Sequence, residues 1–295
     1  MRWSRRQPAT LGLDPERDHA RMSAIVTSLE FPWDYRQALS LALFRTFAVP
    51  SIGNLLARTG EFTARTQRRY DDTALLLDVV QQHGFAHPES TAAIRRINHM
   101  HRAYSISNDD MLYVLTTFVV TTSRWVRDYG WRDLTDDERA AGVRYWTEMG
   151  RRMGVRDIPT TYAGFADHLD AYEREHFAYS NGGRAVADAT LDLLCTFPGA
   201  RLLPGRLVRR GVLSVMDDLL LDALRYPRPT SAERRLVHGA LRGRALIVRF
   251  LPRRKRPFHA IDAGTIRSYP HGFEIAELGT FPERGATAAK PNLPA

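Results

Sequence analysis

The sequence predicts an all-α fold, a single multi-helix globular domain, and three observations support this prediction. Apolar residues recur at the three- and four-residue spacing of a helix nearly throughout, and the alternating pattern of a strand is absent. The segments Thr135–Glu138 and Thr230–Glu233 fit a capping box, in which a hydroxyl and a carboxylate each bind a free backbone N–H. Clusters of proline and glycine separate the periodic stretches.

The predicted helices follow one another with short breaks. Asn108 can cap a helix that begins at Asp109, and the two capping boxes begin helices at 136 and 231. The remaining boundaries rest on proline and glycine, which interrupt helical hydrogen bonding or weaken it. In order, the predicted helices are 34–48, 61–82, 89–104, 109–127, 136–153, 162–178, 182–196, 206–224 and 231–250. The breaks fall at Pro32, Pro50, 84–88, Gly130, 154–159, 198–205, Pro227 and Pro229.

The chain is predicted to form one domain with two irregular ends. No linker separates blocks of different composition, so we assign the helical domain to residues 30–251. Residues 1–29 are expected to be a flexible N-terminal arm. Residues 252–295 hold six prolines and are expected to form a tail that packs partly on the domain.

The composition is that of an ordinary globular protein. Of 295 residues, 44% are hydrophobic and 25% are charged, which excludes a disordered or collagen-like chain. The single cysteine excludes a disulfide framework and any metal site built on several cysteines.

The net charge is +9, but the arginines are scattered through segments that also carry aspartate and glutamate. This distribution does not favour a nucleic-acid partner, which requires basic residues clustered on one face. One dense basic run occupies residues 253–256, interpreted first as a solvated helix end and second as a contact with an anionic membrane surface. No apolar stretch is long enough to span a membrane. The start of the chain lacks the apolar segment of a signal peptide, so we expect a cytoplasmic location.

The first candidate site joins the helices 61–82 and 89–104. At 100° per residue, His101 lies on the apolar face of the second helix, whereas His99 lies among arginines and is expected to face solvent. On the first helix, Arg69 and Thr73 fall within an apolar stripe. A guanidinium that faces a core needs an anionic partner, which could be Asp72, another carboxylate or a haem propionate. A lone histidine on such a face is more often a hydrogen-bonded core residue.

Two other patterns resemble metal sites. Glu173 and His176 have the spacing of a di-iron carboxylate helix, but the only other match, Glu16 with His19, lies in the arm, so a solvated pair is preferred. The segment Asp217–Asp222 resembles the magnesium motif of isoprenoid synthases. No second metal motif follows it, and an exposed acidic face is preferred.

A series of short strings resembles the MpaB-type oxygenase family, which is related more distantly to latex-clearing protein, the bacterial rubber oxygenase. The resemblance covers about residues 30–282. The strings, in chain order, are Phe31-Pro32-Trp33-Asp34, Leu43-Phe44-Arg45-Thr46-Phe47, Arg69-Tyr70-Asp71-Asp72-Thr73, Arg95-Arg96-Ile97-Asn98-His99-Met100-His101, Ile106-Ser107-Asn108-Asp109-Asp110, Tyr129-Gly130-Trp131-Arg132, Asp157-Ile158-Pro159 and Tyr269-Pro270-His271-Gly272-Phe273-Glu274.

This resemblance implies an all-α fold that encloses a buried haem b, with iron held by a histidine and dioxygen as co-substrate. The Arg-x-x-x-Thr of the rubber enzymes falls on Arg69 and Thr73, and the axial ligand best matches His101, with His99 as its competitor. The rubber enzymes carry a lysine just before that threonine, able to cap the iron, and here the position is Asp72. The implied roles are iron ligand for His101, propionate or oxygen contact for Arg69, and a distal hydrogen bond for Thr73.

The function predicted on this basis is a haem b oxygenase acting on a hydrophobic prenyl or lipid-like substrate, with oxidative cleavage of a carbon–carbon double bond as its chemistry. Phe44, Phe47 and Tyr104 are expected to line the substrate channel. Two alternatives remain at this point. One is a non-catalytic haem- or lipid-binding helical protein, and the other is a magnesium-dependent isoprenoid-diphosphate enzyme that uses Asp217, Asp218 and Asp222.

Overall fold

A computed structural model describes residues 7–279. That part of the chain contains thirteen α-helices and no β-strand, which confirms the all-α class. The helices are α1 (His19–Ile25), α2 (Pro32–Phe47), α3 (Pro50–Arg58), α4 (Glu61–Ala64), α5 (Thr66–His83), α6 (Pro88–Arg102), α7 (Asn108–Tyr129), α8 (Asp136–Arg152), α9 (Tyr162–His176), α10 (Asn181–Cys195), α11 (Gly205–Ser214), α12 (Asp218–Ala223) and α13 (Ser231–Phe250).

Helix α7 is the centre of the fold. Most of its residues are buried, including several threonines as well as its apolar side chains, as expected for a helix that other helices enclose. Helices α2, α8, α9 and α13 pack around it. The hydroxyl of Ser107, one residue before the predicted cap, accepts a hydrogen bond from the backbone N–H of Asp110 at 3.0 Å and so begins α7. Both predicted capping boxes, at Thr135 and Thr230, are present.

Three element boundaries differ from the prediction. Pro50 begins α3 instead of only ending α2, because proline at the first helical position loses no intrahelical hydrogen bond. The predicted helix 61–82 breaks at Arg65, whose backbone is not helical, into α4 and α5. The predicted helix 206–224 breaks before Asp217, whose carboxylate accepts the backbone N–H of Leu220 at 2.9 Å and begins α12.

The N-terminal arm is shorter than predicted. Residues 19–30 form α1 and one turn of π-helix (Val26–Glu30), and Met22 and Val26 are buried where this segment packs on the domain. Apolar residues in this segment bury surface that a free arm leaves in water. The described fold therefore begins before residue 30. Residues 1–6 of the predicted arm lie outside the described part of the chain.

The C-terminal segment follows the surface of α5. The Asp71 carboxylate accepts the backbone N–H groups of Arg267 at 3.0 Å and Ser268 at 2.9 Å, and Leu278 is fully buried. Up to residue 279 this segment therefore packs on the helices; residues 280–295 of the predicted tail lie outside the described part of the chain. The basic run 253–256 forms an exposed loop beyond the end of α13 and is not itself helical.

Within residues 7–279, no single helix has the length and apolar character needed to cross a membrane. Helices α2 and α3 satisfy that criterion only when taken together, and they bend by 98° at their junction.

Helices α3 and α10 approach each other closely at two glycines. A Cβ added to Gly183 would lie 2.1 Å from the carbonyl oxygen of Phe47, and one added to Gly53 would lie 2.7 Å from the Gly183 Cα. These contacts are backbone atoms, which cannot turn aside as a flexible side chain can. Glycine is therefore required at this crossing.

We expect Gly183→Ala to lower the free energy of unfolding by about 1–3 kcal/mol or more, because the added methyl group forces the two helices apart. Urea denaturation measures the change. Gly142→Ala in α8 is the control: no atom lies within 4 Å of its added Cβ, so a gain of about 0.5–1 kcal/mol is expected. Equal effects of the two substitutions would contradict the close packing.

Candidate functional site

A cavity of about 250 Å³ lies between α2, α3, α5, α6, α7 and α8. Its walls are mainly aliphatic and aromatic, and exposed residues at its edge, among them Arg58 and Tyr104, mark its opening to solvent. Three of its polar lining residues are His101, Arg69 and Thr73. The cavity thus brings together the residues singled out as the first candidate site.

His101 reaches the cavity from the last turn of α6. Its Nδ1 atom is buried and has no hydrogen-bond partner among residues 7–279. Burial, and after it the positive charge of Arg69, lowers the pKa of His101 to about 4. The imidazole is therefore neutral near pH 7 and keeps a lone pair available. His99, two residues earlier, is exposed, which is the orientation that the helical spacing predicts.

The lowered pKa of His101 predicts a pH dependence of stability. The unfolded imidazole takes up a proton near its ordinary pKa of 6.5, whereas the folded one does so only near 4. The unfolded state therefore binds more protons between these values, and stability falls as the pH is lowered through this window. The loss through this group is about 3 kcal/mol, at 1.36 kcal/mol per pKa unit.

Urea denaturation of the apoprotein at several pH values measures this effect. His101→Gln should remove the part of the pH dependence between pH 6.5 and 4, and His99→Gln should leave it unchanged. An identical pH profile in wild type and His101→Gln would contradict the buried, neutral imidazole.

Arg69 and Thr73 lie one turn apart on α5 and face the cavity together. The Arg69 guanidinium donates to the Thr73 hydroxyl, and that hydroxyl donates to the Arg69 carbonyl oxygen at 2.9 Å. The guanidinium also lies 5.3 Å from the centre of the Phe62 ring. Burial lowers the pKa of Arg69. No carboxylate within residues 7–279 is close enough to form an ion pair with it. The site therefore presents a half-buried cation to the cavity, and the charges of Asp72 and Glu61 stabilise it only from beyond ion-pair distance.

Asp72 does not pair with Arg69, as its sequence position suggested it could. Its carboxylate accepts a hydrogen bond from the hydroxyl of Tyr269 in the C-terminal segment, and it does not line the cavity. The neighbouring Asp71 also binds that segment. Both aspartates therefore attach the C-terminal segment to α5, a contact across nearly 200 positions that local spacing does not indicate.

A second, smaller cavity of about 120 Å³ lies on the other side of a thin wall. The residues that border both cavities form this wall. They are Thr73 and four apolar residues, Leu43, Leu77, Phe118 and Trp146. Phe258 and Ala260 of the C-terminal segment cover the second cavity. Of the three residues expected to line a channel, Phe47 and Tyr104 border the larger cavity. Phe44 packs against Phe47 in the same apolar cluster but borders neither cavity.

The Glu173–His176 pair is not a solvated pair. Glu173 is only 2% exposed and forms an ion pair with Arg45, and the hydroxyl of Tyr113 donates to it at 3.1 Å. His176 lies 3.1 Å from the carbonyl oxygen of Tyr172 through its Nδ1. Because Glu173 is satisfied by these partners, it has no carboxylate oxygen free for iron.

The aspartates at the start of and within α12 form ion pairs with arginines. Asp217 pairs with Arg45, Asp218 with Arg234 and Arg228, and Asp222 with Arg228. Carboxylates neutralised in this way do not present the open cluster that magnesium requires. The segment is therefore an ion-pair network and not a magnesium motif.

Comparison with known proteins gives one family. Residues 35–250 match the family described as ER-bound oxygenase mpaB/B′/Rubber oxygenase, catalytic domain. The ER-bound oxygenase mpaB′ of Penicillium brevicompactum is 29% identical over 245 residues, which is 77% of this chain and 57% of that protein. The ER-bound oxygenase mpaB of the same organism is 27% identical over 224 residues, 70% of this chain and 57% of that protein.

A third relative, the ER-bound oxygenase mpaB of Penicillium roqueforti (strain FM164), is 30% identical over 217 residues, which is 67% of this chain and 72% of that protein. The chain thus spans little more than half the length of the two relatives from Penicillium brevicompactum.

Proposed function

Because the chain belongs to the family of mpaB/B′ and rubber oxygenase catalytic domains, we propose that it is a haem b-dependent oxygenase that uses dioxygen on a hydrophobic, prenyl or lipid-like substrate. The observation that carries the proposal is the shared cavity. A neutral histidine and a half-buried arginine, which has no ion-pair partner among residues 7–279, face one apolar space. These are the groups that a haem needs from a protein.

The residues present fit this cofactor. His101 would hold the haem iron, because it supplies a neutral imidazole with a buried nitrogen that has no hydrogen-bond partner among residues 7–279. Arg69 supplies the positive charge that a propionate requires. When bound, the haem supplies the binding and activation of dioxygen.

The protein's own residues then bind, orient and exclude water. The Thr73 hydroxyl accepts from the Arg69 guanidinium, donates to the Arg69 carbonyl oxygen and borders both cavities. It can donate to a polar atom near the boundary between them when it releases the Arg69 carbonyl oxygen. The apolar walls around Leu43, Phe118 and Trp146 accommodate an elongated hydrocarbon chain and keep water away from the reacting carbons. The substrate class in this proposal is therefore a molecule with an unsaturated chain that reaches across the wall between the cavities.

Dioxygen uptake by the purified, haem-loaded protein tests the proposal. A prenylated lipid should stimulate uptake and yield carbonyl products, whereas the same lipid with a fully saturated side chain should not, because it has no double bond to cleave. If neither lipid stimulates dioxygen uptake and the haem spectrum is normal, the result would favour the non-catalytic haem- or lipid-binding alternative. A protein that takes up no haem would overturn both.

We also propose a cytoplasmic protein that contacts an anionic membrane surface through α13 and the basic run that follows it. Residues 234–256 carry nine arginines and lysines and no aspartate or glutamate. On α13, Leu236, Leu246 and Ile247 are 74%, 56% and 64% exposed. Exposed apolar residues beside an excess of positive charge suit an interface with anionic lipid, and the relatives are named as ER-bound.

Co-sedimentation with phosphatidylcholine vesicles, with and without phosphatidylserine, tests this contact. Sedimentation should require the anionic lipid and should fall in the double variant Leu246→Ser/Ile247→Ser. Leu11→Ser, at a site that is 70% exposed on the N-terminal segment, is the control and should sediment like wild type. Sedimentation that does not depend on anionic lipid would contradict the proposal.

A further inference from the structure

Three metal-ligating side chains meet at the turn between α5 and α6. His83 is the last residue of α5, His87 precedes α6 and Glu89 lies in its first turn. One ligand atom from each lies within 4.8 Å of the other two. The rings of His83 and His87 stack with centroids 4.4 Å apart, and His83 Nε2 lies 3.1 Å from a carboxylate oxygen of Glu89.

We propose that His83, His87 and Glu89 bind a zinc ion. Two imidazoles and one carboxylate are a common zinc ligand set, with water at the fourth position. In a tetrahedral zinc site with bonds of about 2.1 Å, neighbouring ligand atoms lie about 3.4 Å apart. The His83–Glu89 separation of 3.1 Å is already close to that value. His87 has to move only by a side-chain rotation, since it is exposed and its ring stacks loosely on that of His83.

The metal replaces two weak interactions. His83 and Glu89 attract each other strongly only when the imidazole carries a proton, and zinc takes the place of that proton. His87 accepts the backbone N–H of Glu89 through Nδ1 at 3.3 Å, a long hydrogen bond. Either ring nitrogen of His87 can bind the ion. In both cases Nδ1 no longer accepts the backbone N–H of Glu89, because its lone pair binds the metal or the nitrogen carries the ring proton.

The zinc site is separate from the cavity but belongs to the same pair of helices. Helix α5 carries Arg69 and Thr73, and α6 carries His101. At 1.5 Å per residue, the site lies about 15 Å along α5 from Thr73 and about 18 Å along α6 from His101. The ion therefore joins the two helices at the end opposite the cavity. It does not touch the groups assigned to haem, so the proposal holds whether or not the chain is an oxygenase.

Isothermal titration of the full chain with Zn²⁺, after removal of any affinity tag, tests the proposal. We expect one equivalent of zinc to bind, and Mg²⁺ not to compete because it prefers oxygen ligands. His83→Gln and His87→Asn should each weaken zinc binding at least about tenfold. His87→Asn keeps a residue type that begins helices well, so α6 should stay intact. His99→Gln, an exposed histidine elsewhere on α6, is the matched control.

Thermal melting supplies a second readout. Zinc should raise the melting temperature of wild type and of His99→Gln with increasing concentration, as mass action requires, but not that of His83→Gln or His87→Asn. The melting temperatures without zinc show whether each variant is folded. A wild type that binds no zinc, or zinc binding of equal affinity in folded His83→Gln and His87→Asn, would overturn the proposal.

Discussion

Replacing Arg45 by methionine is expected to lower the free energy of unfolding by about 3–5 kcal/mol, because it leaves a buried carboxylate without its counter-charge. Arg45 is 8% exposed and Glu173 is 2% exposed. The guanidinium donates to both carboxylate oxygens of Glu173 and, at 2.5 Å, to Asp217. The pair connects α2 with α9 and with the start of α12 in the middle of the fold.

A second variant separates the charge effect from the loss of packing. Arg45→Met combined with Glu173→Gln removes the uncompensated charge and should recover part of the lost stability. Arg124→Met is the control, since its ion pair with Asp170 is half-exposed and should contribute no more than about 1 kcal/mol. Urea denaturation measures the free energy of unfolding of wild type and of the three variants. A loss below about 1 kcal/mol for Arg45→Met would contradict the assignment of a buried ion pair.

On the proposed function, replacing Arg69 by glutamine is expected to lower oxygenase turnover on the order of 10²–10³-fold, because it removes a cation that lines the cavity proposed to hold the haem and the substrate. Arg69 is held by Thr73 and by the Phe62 ring, so its charge is fixed in the cavity before any ligand arrives. Glutamine keeps a hydrogen-bond donor but is shorter than arginine. The comparison with Arg69→Lys, which keeps the positive charge, therefore separates the effect of charge from that of side-chain size.

Dioxygen uptake at saturating haem measures this loss, so that weaker cofactor binding does not hide it. Arg69→Lys keeps the charge and should retain more activity than Arg69→Gln. Arg68→Gln changes an exposed arginine one position earlier and should have no effect. Turnover of Arg69→Gln within twofold of wild type would show that the cavity does not use this charge.

Local periodicity was sufficient to orient the main candidate residues. His101 and His99 differ by two positions, which places them about 200° apart on a helix, and one lines the cavity while the other is exposed. Arg69 and Thr73 are four residues apart and therefore share a face. Both inferences need only the geometry of one helix.

The geometry of one helix does not predict contacts between residues that lie far apart in the sequence. The spacing of Glu173 and His176 does not reveal that Glu173 is buried, because its partner Arg45 lies 128 positions away. The hydrogen bond from Tyr269 to Asp72 spans 197 positions, and it directs the aspartate away from the cavity. Pro50 is compatible with a helix end and with a helix start, and only tertiary packing distinguishes them.

The visible spectrum of the chain expressed with a haem precursor tests whether His101 holds the haem iron. We expect a Soret band in wild type and in His99→Ala, and its loss or strong shift in His101→Ala, because His101 lines the cavity whereas His99 is exposed. A colourless wild type with adequate haem supply, or a Soret band that is unchanged in His101→Ala, would contradict the assignment of His101 as the iron ligand.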